Sequence, residues 1–240
     1  MAELKAIFWD MDGTMVNSEP LWEIATLEMS ERMGKRMTLA QRERTIGGSF
    51  HNTYLVCCEI TGTEPTPEGE KEQFAIMRDR MVELLSQELE PFPGVRELLG
   101  ELRDRGIPMF VTTNTPRDIA AGAIKGIGEQ YFTDSVCGDE VPNGKPAPDM
   151  YLEASRRAGA RPDQCLVFED SANGMKAAAA AGCVLIGIPE HADVPVPEQA
   201  TLLATLVHPE AKEIDYGHRG FEGIHADDVI GWFEKITSEK

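Results

Sequence analysis

The sequence predicts an α/β fold in which a doubly wound parallel sheet carries an inserted all-helical segment. Four short apolar runs, bounded by Gly, Pro or Asp, have the composition of buried strands, and helical patterns separate them. Strands that alternate with helices in this way favour a parallel sheet covered on both faces, as in a Rossmann-like core. The four runs are residues 4–9, 107–113, 165–168 and 184–188.

Several helices of the predicted core have recognisable patterns. Residues 93–105 repeat apolar side chains at helical spacing, and a glycine then stops the pattern. Thr115 followed by Pro116 predicts an N-cap with proline at the first helical position. Residues 172–181 are nearly all alanine before a glycine, so this helix can lie very close to the sheet. Residues 225–236 are expected to close the chain as a helix.

Residues 19–89 contain no run typical of a buried strand. Their apolar side chains recur at helical spacing, broken by a stretch rich in Thr, Gly and Pro at residues 61–67. We therefore expect two domains. The α/β core would comprise residues 1–16 and 90–240, and a helical cap domain would comprise residues 17–89.

Composition and charge exclude several classes of protein. The 240 residues include 23 Lys and Arg against 41 Asp and Glu, and the formal net charge of −18 repels nucleic-acid backbones and anionic membranes. Five cysteines, none spaced as in a zinc knuckle, imply neither a disulfide framework nor a zinc site. No stretch reaches the roughly 18 apolar residues of a spanning helix, and the N-terminus lacks a secretory signal. We expect a cytoplasmic monomer or small homo-oligomer with no nucleic-acid or membrane partner.

Polar segments follow the predicted strands, which is where ligands bind in an open α/β sheet. Asp10 and Asp12 lie two positions apart on a turn, so one carboxylate can act as a nucleophile and the other as acid and base. Thr113 and Asn114 precede a helix whose first N–H groups can hold an anion. Lys145 is a cation in a loop that prolines stiffen.

A second carboxylate pair, Glu169 and Asp170, follows the third predicted strand. Together with Asp10 it offers the hard oxygen ligands that Mg²⁺ prefers. Each polar segment alone also suits an ordinary role, such as a solvated turn, a helix cap or a surface charge. Their joint occurrence at strand ends favours one functional site, because structural context is what confirms a short motif.

These segments resemble those of the haloacid dehalogenase superfamily, in its β-phosphoglucomutase-like branch with an inserted helical cap. The matching motifs are residues 8–14, 111–114, 138–149 and 168–174. The dehalogenases lack the second Asp of the first motif, so Asp12 favours phosphoryl transfer. Trp9 departs from the family pattern, in which a smaller aromatic side chain is usual. Residues 189–221 exceed the family's usual ending, and their sequence predicts no clear element.

The resemblance implies a Mg²⁺ enzyme and a role for each motif residue. Asp10 would be the nucleophile, Asp12 the acid and base, and Thr113 and Lys145 the clamp on the phosphoryl group. The metal ligands would be Asp10, the main-chain carbonyl of Asp12, and Asp170, with Glu169 in or next to the metal shell.

Residues expected to bind the substrate lie in two places. Asn114 follows the second predicted strand. Arg44, Gly48 and His51 lie where related caps place a specificity loop, although an ordinary surface turn would show the same glycines.

These observations favour a Mg²⁺-dependent phosphatase that hydrolyses a small phosphorylated metabolite, most plausibly a sugar phosphate, through an aspartyl-phosphate. Two alternatives remain open. A phosphomutase of the β-phosphoglucomutase type would return the phosphoryl group to the sugar, and a non-catalytic regulatory module would only bind phosphate.

Overall fold

The computed structural model describes residues 3–45, 50–87, 89–211, 213–216 and 220–238. Within them the chain forms a six-stranded sheet whose strands all run parallel, in the order β3-β2-β1-β4-β5-β6. The predicted α/β class is thereby confirmed. The strands are β1 (Ala6–Trp9), β2 (Met109–Thr113), β3 (Asp134–Cys137), β4 (Cys165–Glu169), β5 (Val184–Gly187) and β6 (Ala200–Leu202).

Ten α-helices accompany the sheet in the described part of the chain. None of these helices has both the length and the hydropathy that crossing a bilayer requires. The helices are α1 (Glu19–Arg32), α2 (Leu39–Arg42), α3 (Phe50–Thr61), α4 (Pro67–Gln87), α5 (Val95–Asp104), α6 (Arg117–Ile127), α7 (Asp149–Ala158), α8 (Ala172–Ala181), α9 (Leu203–Val207) and α10 (Ala226–Ser238).

Strand β1 lies at the centre of the sheet, between β2 and β4. Ile7 pairs with Met109 on one side and with Leu166 on the other. The strand order therefore reverses direction at β1, and the carboxyl ends of β1, β2 and β4 meet at one edge. Such a switch point is where open α/β sheets bind their ligands.

Both faces of the sheet are buried because alternate side chains point to opposite sides. Ala6 and Phe8 belong to an apolar cluster with α7 and α8, whereas Ile7 and Trp9 belong to a cluster with α5, α6 and α10. Ala177, Ala178 and Ala181 of α8 are buried in the first of these clusters. The core therefore has three layers, with helices on both faces of the sheet.

Helices α1 to α4 form the insert that the sequence predicted between β1 and the rest of the sheet. The predicted break appears between α3 and α4. Met77 and Met81 of α4 belong to the same apolar cluster as Ile119 and Ala123 of α6, so the insert packs directly against the core. The division into a core of residues 1–16 and 90–240 and a cap domain of residues 17–89 remains a prediction.

Three features differ from the predictions. Strands β3 and β6 were not predicted, because each has at most four residues and lies at a sheet edge, too short for a clear pattern. Helix α6 begins at Arg117 with Pro116 as its N-cap, so the prediction of Thr115 as the N-cap is wrong. The Thr115 hydroxyl instead donates a hydrogen bond to Asp12 Oδ2.

The segment that the sequence left without an element supplies the last strand and part of the core. Strand β6 and helix α9 lie within it. Its final residue, Phe221, is buried against the rings of Trp9 and Phe168, with centroid distances of 5.4 and 5.7 Å. Trp9 also stacks on Phe168 at 4.3 Å. We call this segment, residues 189–221, the tail. The ring of Trp9, the residue before Asp10, is thus packed against the tail.

Candidate active site

Lys145 joins the ends of three strands. Its Nζ donates to Asp10 Oδ1 at 2.6 Å, to the Thr112 carbonyl at 3.0 Å and to the Glu169 carboxylate. All four residues are buried. All four motifs singled out in the sequence therefore meet at one point, although Asp10 and Lys145 lie 135 residues apart in the chain.

The charges of this group depend on one another. Burial raises the pKa of Asp10 well above its usual range; the field of Glu169 raises it further and Lys145 opposes the shift. Burial lowers the pKa of Lys145, but Asp10 and Glu169 outweigh it, so the pKa stays well above the usual value. The ammonium therefore remains charged, and it can attract an anion to the strand ends.

Three carboxylates of the site can hold a metal ion. Oxygen atoms of Asp10, Glu169 and Asp170 all lie within 4.8 Å of one another. Gly13 permits this approach, because a Cβ built at this residue would lie 2.1 Å from Asp170 Oδ2. Three carboxylates against the single ammonium of Lys145 leave an excess of negative charge that a divalent cation would balance. Oxygen-only donor sets of this kind suit Mg²⁺ or Ca²⁺.

Glu169 is the most enclosed of these acids. Tyr151 donates its hydroxyl to Glu169 Oε1 at 3.2 Å, and the N–H and hydroxyl of Ser171 both lie 3.0 Å from Oε2. Gly174 lies so close that a Cβ there would overlap the carboxylate. Both oxygens thus have protein partners, which suits the predicted position in or next to a metal shell.

Asp12 is held by three hydroxyl groups. Its Oδ1 accepts from Ser18 at 2.5 Å, and its Oδ2 accepts from Thr113 at 3.2 Å and from Thr115 at 2.9 Å. Neither Ser18 nor Thr115 belongs to a sequence motif that predicts a site residue. The one signal for Thr115 was its cap-like position, whereas Ser18 precedes α1 and makes no capping hydrogen bond with its side chain.

Asn114 lies at the predicted strand end, but its side chain binds the protein. Its amide group hydrogen-bonds the main chain of Lys145. The nearby N-terminus of α6 is also engaged, because the N–H of Arg117 donates to Asp139 Oδ1 at 2.9 Å. The structure thus presents Asn114 as a support for Lys145, and substrate binding by Asn114 remains a prediction.

Similarity to known proteins shows the family of this chain. Residues 4–182 match the family model of haloacid dehalogenase-like hydrolases. The chain belongs to this family. It is 32% identical over 180 residues to the phosphorylated carbohydrates phosphatase of Thermotoga maritima, and this alignment covers 75% of this chain and 82% of that protein. It is 30% identical over 213 residues to the phosphoglycolate phosphatase of Escherichia coli, covering 78% and 81% of the two chains.

A solved structure shows the same fold. CbbY from Rhodobacter sphaeroides, determined in complex with phosphate, superposes with a TM-score of 0.70 and 26% identity, covering 85% of this chain and 92% of that one. The predicted family is confirmed, and so is the prediction of an enzyme: this haloacid dehalogenase-like hydrolase is a phosphoric monoester hydrolase. The alternative of a non-catalytic module is set aside.

The predicted specificity residues of this haloacid dehalogenase-like hydrolase lie on the insert. Arg44 pairs with Glu59 at 2.7 Å, and His51 Nδ1 lies 2.9 Å from Glu70 Oε1. Among the described residues, both side chains hydrogen-bond to acids of the insert and not to the group around Asp10. Gly48 lies outside the described residues. Substrate binding by these three residues remains a prediction.

Proposed function

We propose that this protein is a Mg²⁺-dependent phosphatase that hydrolyses a small phosphorylated metabolite of the sugar phosphate class through an aspartyl-phosphate on Asp10. One observation carries the proposal. Lys145 holds Asp10 Oδ1 at 2.6 Å, while Asp12 is held separately by three hydroxyl groups at the same edge of the sheet. Asp10 therefore lies beside a fixed positive charge, which suits a nucleophile. Asp12 has no contact with that charge and can exchange a proton, which suits an acid–base residue.

The first chemical step is the attack of Asp10. An oxygen of its carboxylate forms a bond to phosphorus as the bond from phosphorus to the leaving oxygen breaks in line. Asp12, in its protonated form, gives its proton to the leaving oxygen, so an alcohol departs. In the proposed step Lys145 neutralises charge on the phosphoryl oxygens, and the Thr113 hydroxyl, which donates to Asp12 Oδ2 in the structure, donates to a phosphoryl oxygen instead once substrate binds.

The second step removes the phosphoryl group. Asp12, now ionised, accepts a proton from a water molecule whose oxygen attacks phosphorus, and the bond to Asp10 breaks. Inorganic phosphate leaves, and both carboxyl groups return to their starting states. The hydroxyls of Ser18 and Thr115 orient the Asp12 carboxyl through both proton transfers.

The acidic group at the strand ends fits a metal ion. Asp10, Asp170 and the main-chain carbonyl of Asp12 would hold Mg²⁺, with Glu169 beside them. When bound, the ion would supply positive charge to the transferring phosphoryl group. With a net charge of −18, the protein needs such local positive charge to accept an anionic substrate.

The names of the relatives support the substrate class. The Thermotoga protein is called a phosphatase of phosphorylated carbohydrates, and the Rhodobacter structure contains phosphate. The phosphomutase alternative requires a cap that excludes water and grips a sugar phosphate at both ends. The paired, exposed positions of Arg44 and His51 lend it no support.

The test is phosphate release by metal-stripped protein with and without added Mg²⁺, first from p-nitrophenyl phosphate and then from a panel of phosphorylated metabolites. We expect release only with the metal, and fastest from sugar phosphates. A parallel assay supplies glucose 1-phosphate, as both anomers, with a trace of glucose 1,6-bisphosphate. Glucose 6-phosphate formed much faster than free phosphate would establish a mutase and contradict the proposal.

A further inference from the structure

An ion pair between a buried arginine and a half-exposed glutamate lies beside the site and has no part in the mechanism above. Arg42, at the end of α2, is only 4% exposed, and its Nη2 donates to Glu19 Oε1 at 2.6 Å. Its Nη1 donates to Thr45 Oγ1 at 2.6 Å. The third nitrogen of the guanidinium, Nε, is buried, and its N–H has no hydrogen-bond partner among the described residues. Burying an incompletely satisfied guanidinium destabilises a fold, so stability alone does not explain the pair.

Glu19 is the end of this pair that faces solvent. Its side chain is 49% exposed, against 5% for that of Arg42. Glu19 also lies next to the acid–base machinery, because the preceding residue, Ser18, donates to Asp12 Oδ1 at 2.5 Å. In the proposed mechanism the leaving oxygen lies at Asp12. In that mechanism the group attached to that oxygen would lie near the Glu19 carboxylate, on which the charge of Asp12 acts.

The surroundings of Glu19 are negative, with acidic residues from both the insert and the end of β5. Burial raises its pKa; Arg42 opposes this shift, whereas Glu23, Glu190 and Asp12 add to it. Glu23 belongs to α1 in the insert, and Glu190 follows β5 in the sheet. Among the charges that act on Glu19 in the described structure, Arg42 alone is positive, and it is buried behind the carboxylate.

We propose that Glu19, held in place by Arg42, selects phosphate esters whose leaving group is uncharged and bears hydroxyl groups, and rejects esters that carry a second anionic group. An ionised carboxylate accepts a hydrogen bond from a hydroxyl, whereas it repels a carboxylate or a second phosphate. The inference rests on the proposed function, since it takes Asp12 as the group at the leaving oxygen. It also disfavours a mutase, which has to bind a bisphosphate.

The test compares two esters that differ by one group. These are 2-hydroxyethyl phosphate and phosphoglycolate, which have CH₂OH and COO⁻ at the same position. With Mg²⁺ and the full chain, we expect kcat/KM to be about tenfold or more higher for 2-hydroxyethyl phosphate, since a nearby like charge in a partly screened site has an effect of this order. The ratio should fall as salt is raised, because Glu19 is half exposed and its field is screened.

Variants assign the effect to Glu19. Glu19→Gln keeps the shape and a hydrogen bond to Arg42 but removes the negative charge, so the ratio should fall to about threefold or less, mainly through faster turnover of phosphoglycolate. Glu19→Asp keeps the charge and should retain the preference for 2-hydroxyethyl phosphate. This variant tests the role of the charge if Glu19→Gln does not fold. Glu31→Gln is the matched control, because Glu31 lies at the far end of α1 and pairs with Arg36. It should leave the ratio unchanged.

Each outcome has one meaning. Hydrolysis of phosphoglycolate as fast as 2-hydroxyethyl phosphate, by wild-type protein active on p-nitrophenyl phosphate, would overturn the inference and leave the proposed function intact. An unchanged preference in Glu19→Gln would overturn the assignment to Glu19. Absence of Mg²⁺-dependent release from p-nitrophenyl phosphate would overturn the proposed function and this inference with it.

Discussion

The Asn114 side chain hydrogen-bonds both the N–H and the carbonyl of Lys145. Its side-chain NH₂ donates to the Lys145 carbonyl at 3.2 Å, and its Oδ1 accepts from the Lys145 N–H at 2.9 Å. Asn114 follows β2, whereas Lys145 lies in the loop between β3 and α7. This double hydrogen bond fixes the loop to the strand end and so fixes where the ammonium meets Asp10.

The first prediction tests this support. Asn114→Ala removes two hydrogen bonds of about 1 kcal/mol each, so kcat should fall by about thirtyfold through misplacement of Lys145. Because Asn114 acts through Lys145, the same change should cause little further loss in a Lys145→Met background. Asn143→Ala, in the same loop, removes only a hydrogen bond to Asp149 and should stay within about threefold of wild type. A raised KM that persists in the Lys145→Met background would show instead that Asn114 binds the substrate.

The second prediction concerns the nucleophile. Asp10→Asn keeps the size of the side chain but removes the attacking charge, so phosphate release should fall by about a thousandfold or more. The fold should survive, because Lys145 keeps its contacts with Thr112 and Glu169. Circular dichroism and phosphate release measure the two effects. Asp163→Asn, at an exposed site, is the control. Near-normal turnover in purified Asp10→Asn would exclude covalent catalysis by this residue.

The third prediction separates Asp12 from Asp170. Asp12→Asn should slow esters with poor leaving groups most, because an activated aryl phosphate needs little protonation as it departs. Asp170→Asn should instead raise the Mg²⁺ concentration for half-maximal activity about tenfold or more with every substrate. Rates against leaving-group pKa and against Mg²⁺ concentration distinguish the two. The same leaving-group and metal dependence in both variants would show that the roles are assigned wrongly.

The fourth prediction concerns the tail. Phe221 is 2% exposed and packs edge-on against Trp9 and Phe168. Phe221→Ala should lower the free energy of unfolding by about 3–5 kcal/mol, as losses of buried aromatic side chains do. Ile214→Ala, at a side chain 39% exposed, should lower it by about 1 kcal/mol or less. Urea titrations measure both, and equal small effects would mean that the tail is not part of the core.

The fifth prediction uses the pH dependence of the contact between α5 and the start of α10. His225 Nδ1 lies 2.9 Å from Glu101 Oε1, and this hydrogen bond raises the pKa of His225. A raised folded-state pKa means that the contact stabilises the protein below the unfolded histidine pKa, near 6.5, and that the contribution is lost as the pH rises through the folded value. His225→Gln should therefore lower the urea midpoint more at pH 5.5 than at pH 9.

The control for this pH effect is the partner carboxylate. Its pKa is lowered, first by the hydrogen bond from the Ala226 N–H and then by His225, so Glu101 remains ionised at pH 5.5. In a Glu101→Gln background the His225→Gln change should have nearly the same effect at both pH values. An equal loss at both pH values in the wild-type background would contradict the assignment.

The order of strands and helices along the chain could be predicted from local sequence patterns. Buried strands are short apolar runs, and the helices between them have their own period and end signals, so β1, β2, β4 and β5 and the helical insert could be located. The polar residues that follow β1, β2 and β4 could be placed at one edge, because parallel strands bring their carboxyl ends together. Strands β3 and β6 could not be predicted, since a three- or four-residue edge strand has too few side chains to show a period.

The contacts inside the site were decided by tertiary structure. Ser18 and Thr115 both bind Asp12, yet the second lies 103 residues away in the chain, and no spacing rule connects such positions. The burial of Arg42 depends on how the helices of the insert pack, because an Arg at the end of a short helix is ordinarily solvated. The sequence by itself determined which functional groups reach the strand ends. Packing between distant segments decided which atoms they meet there, since hydrogen bonds and ion pairs depend on distances of a few ångströms that local pattern does not encode.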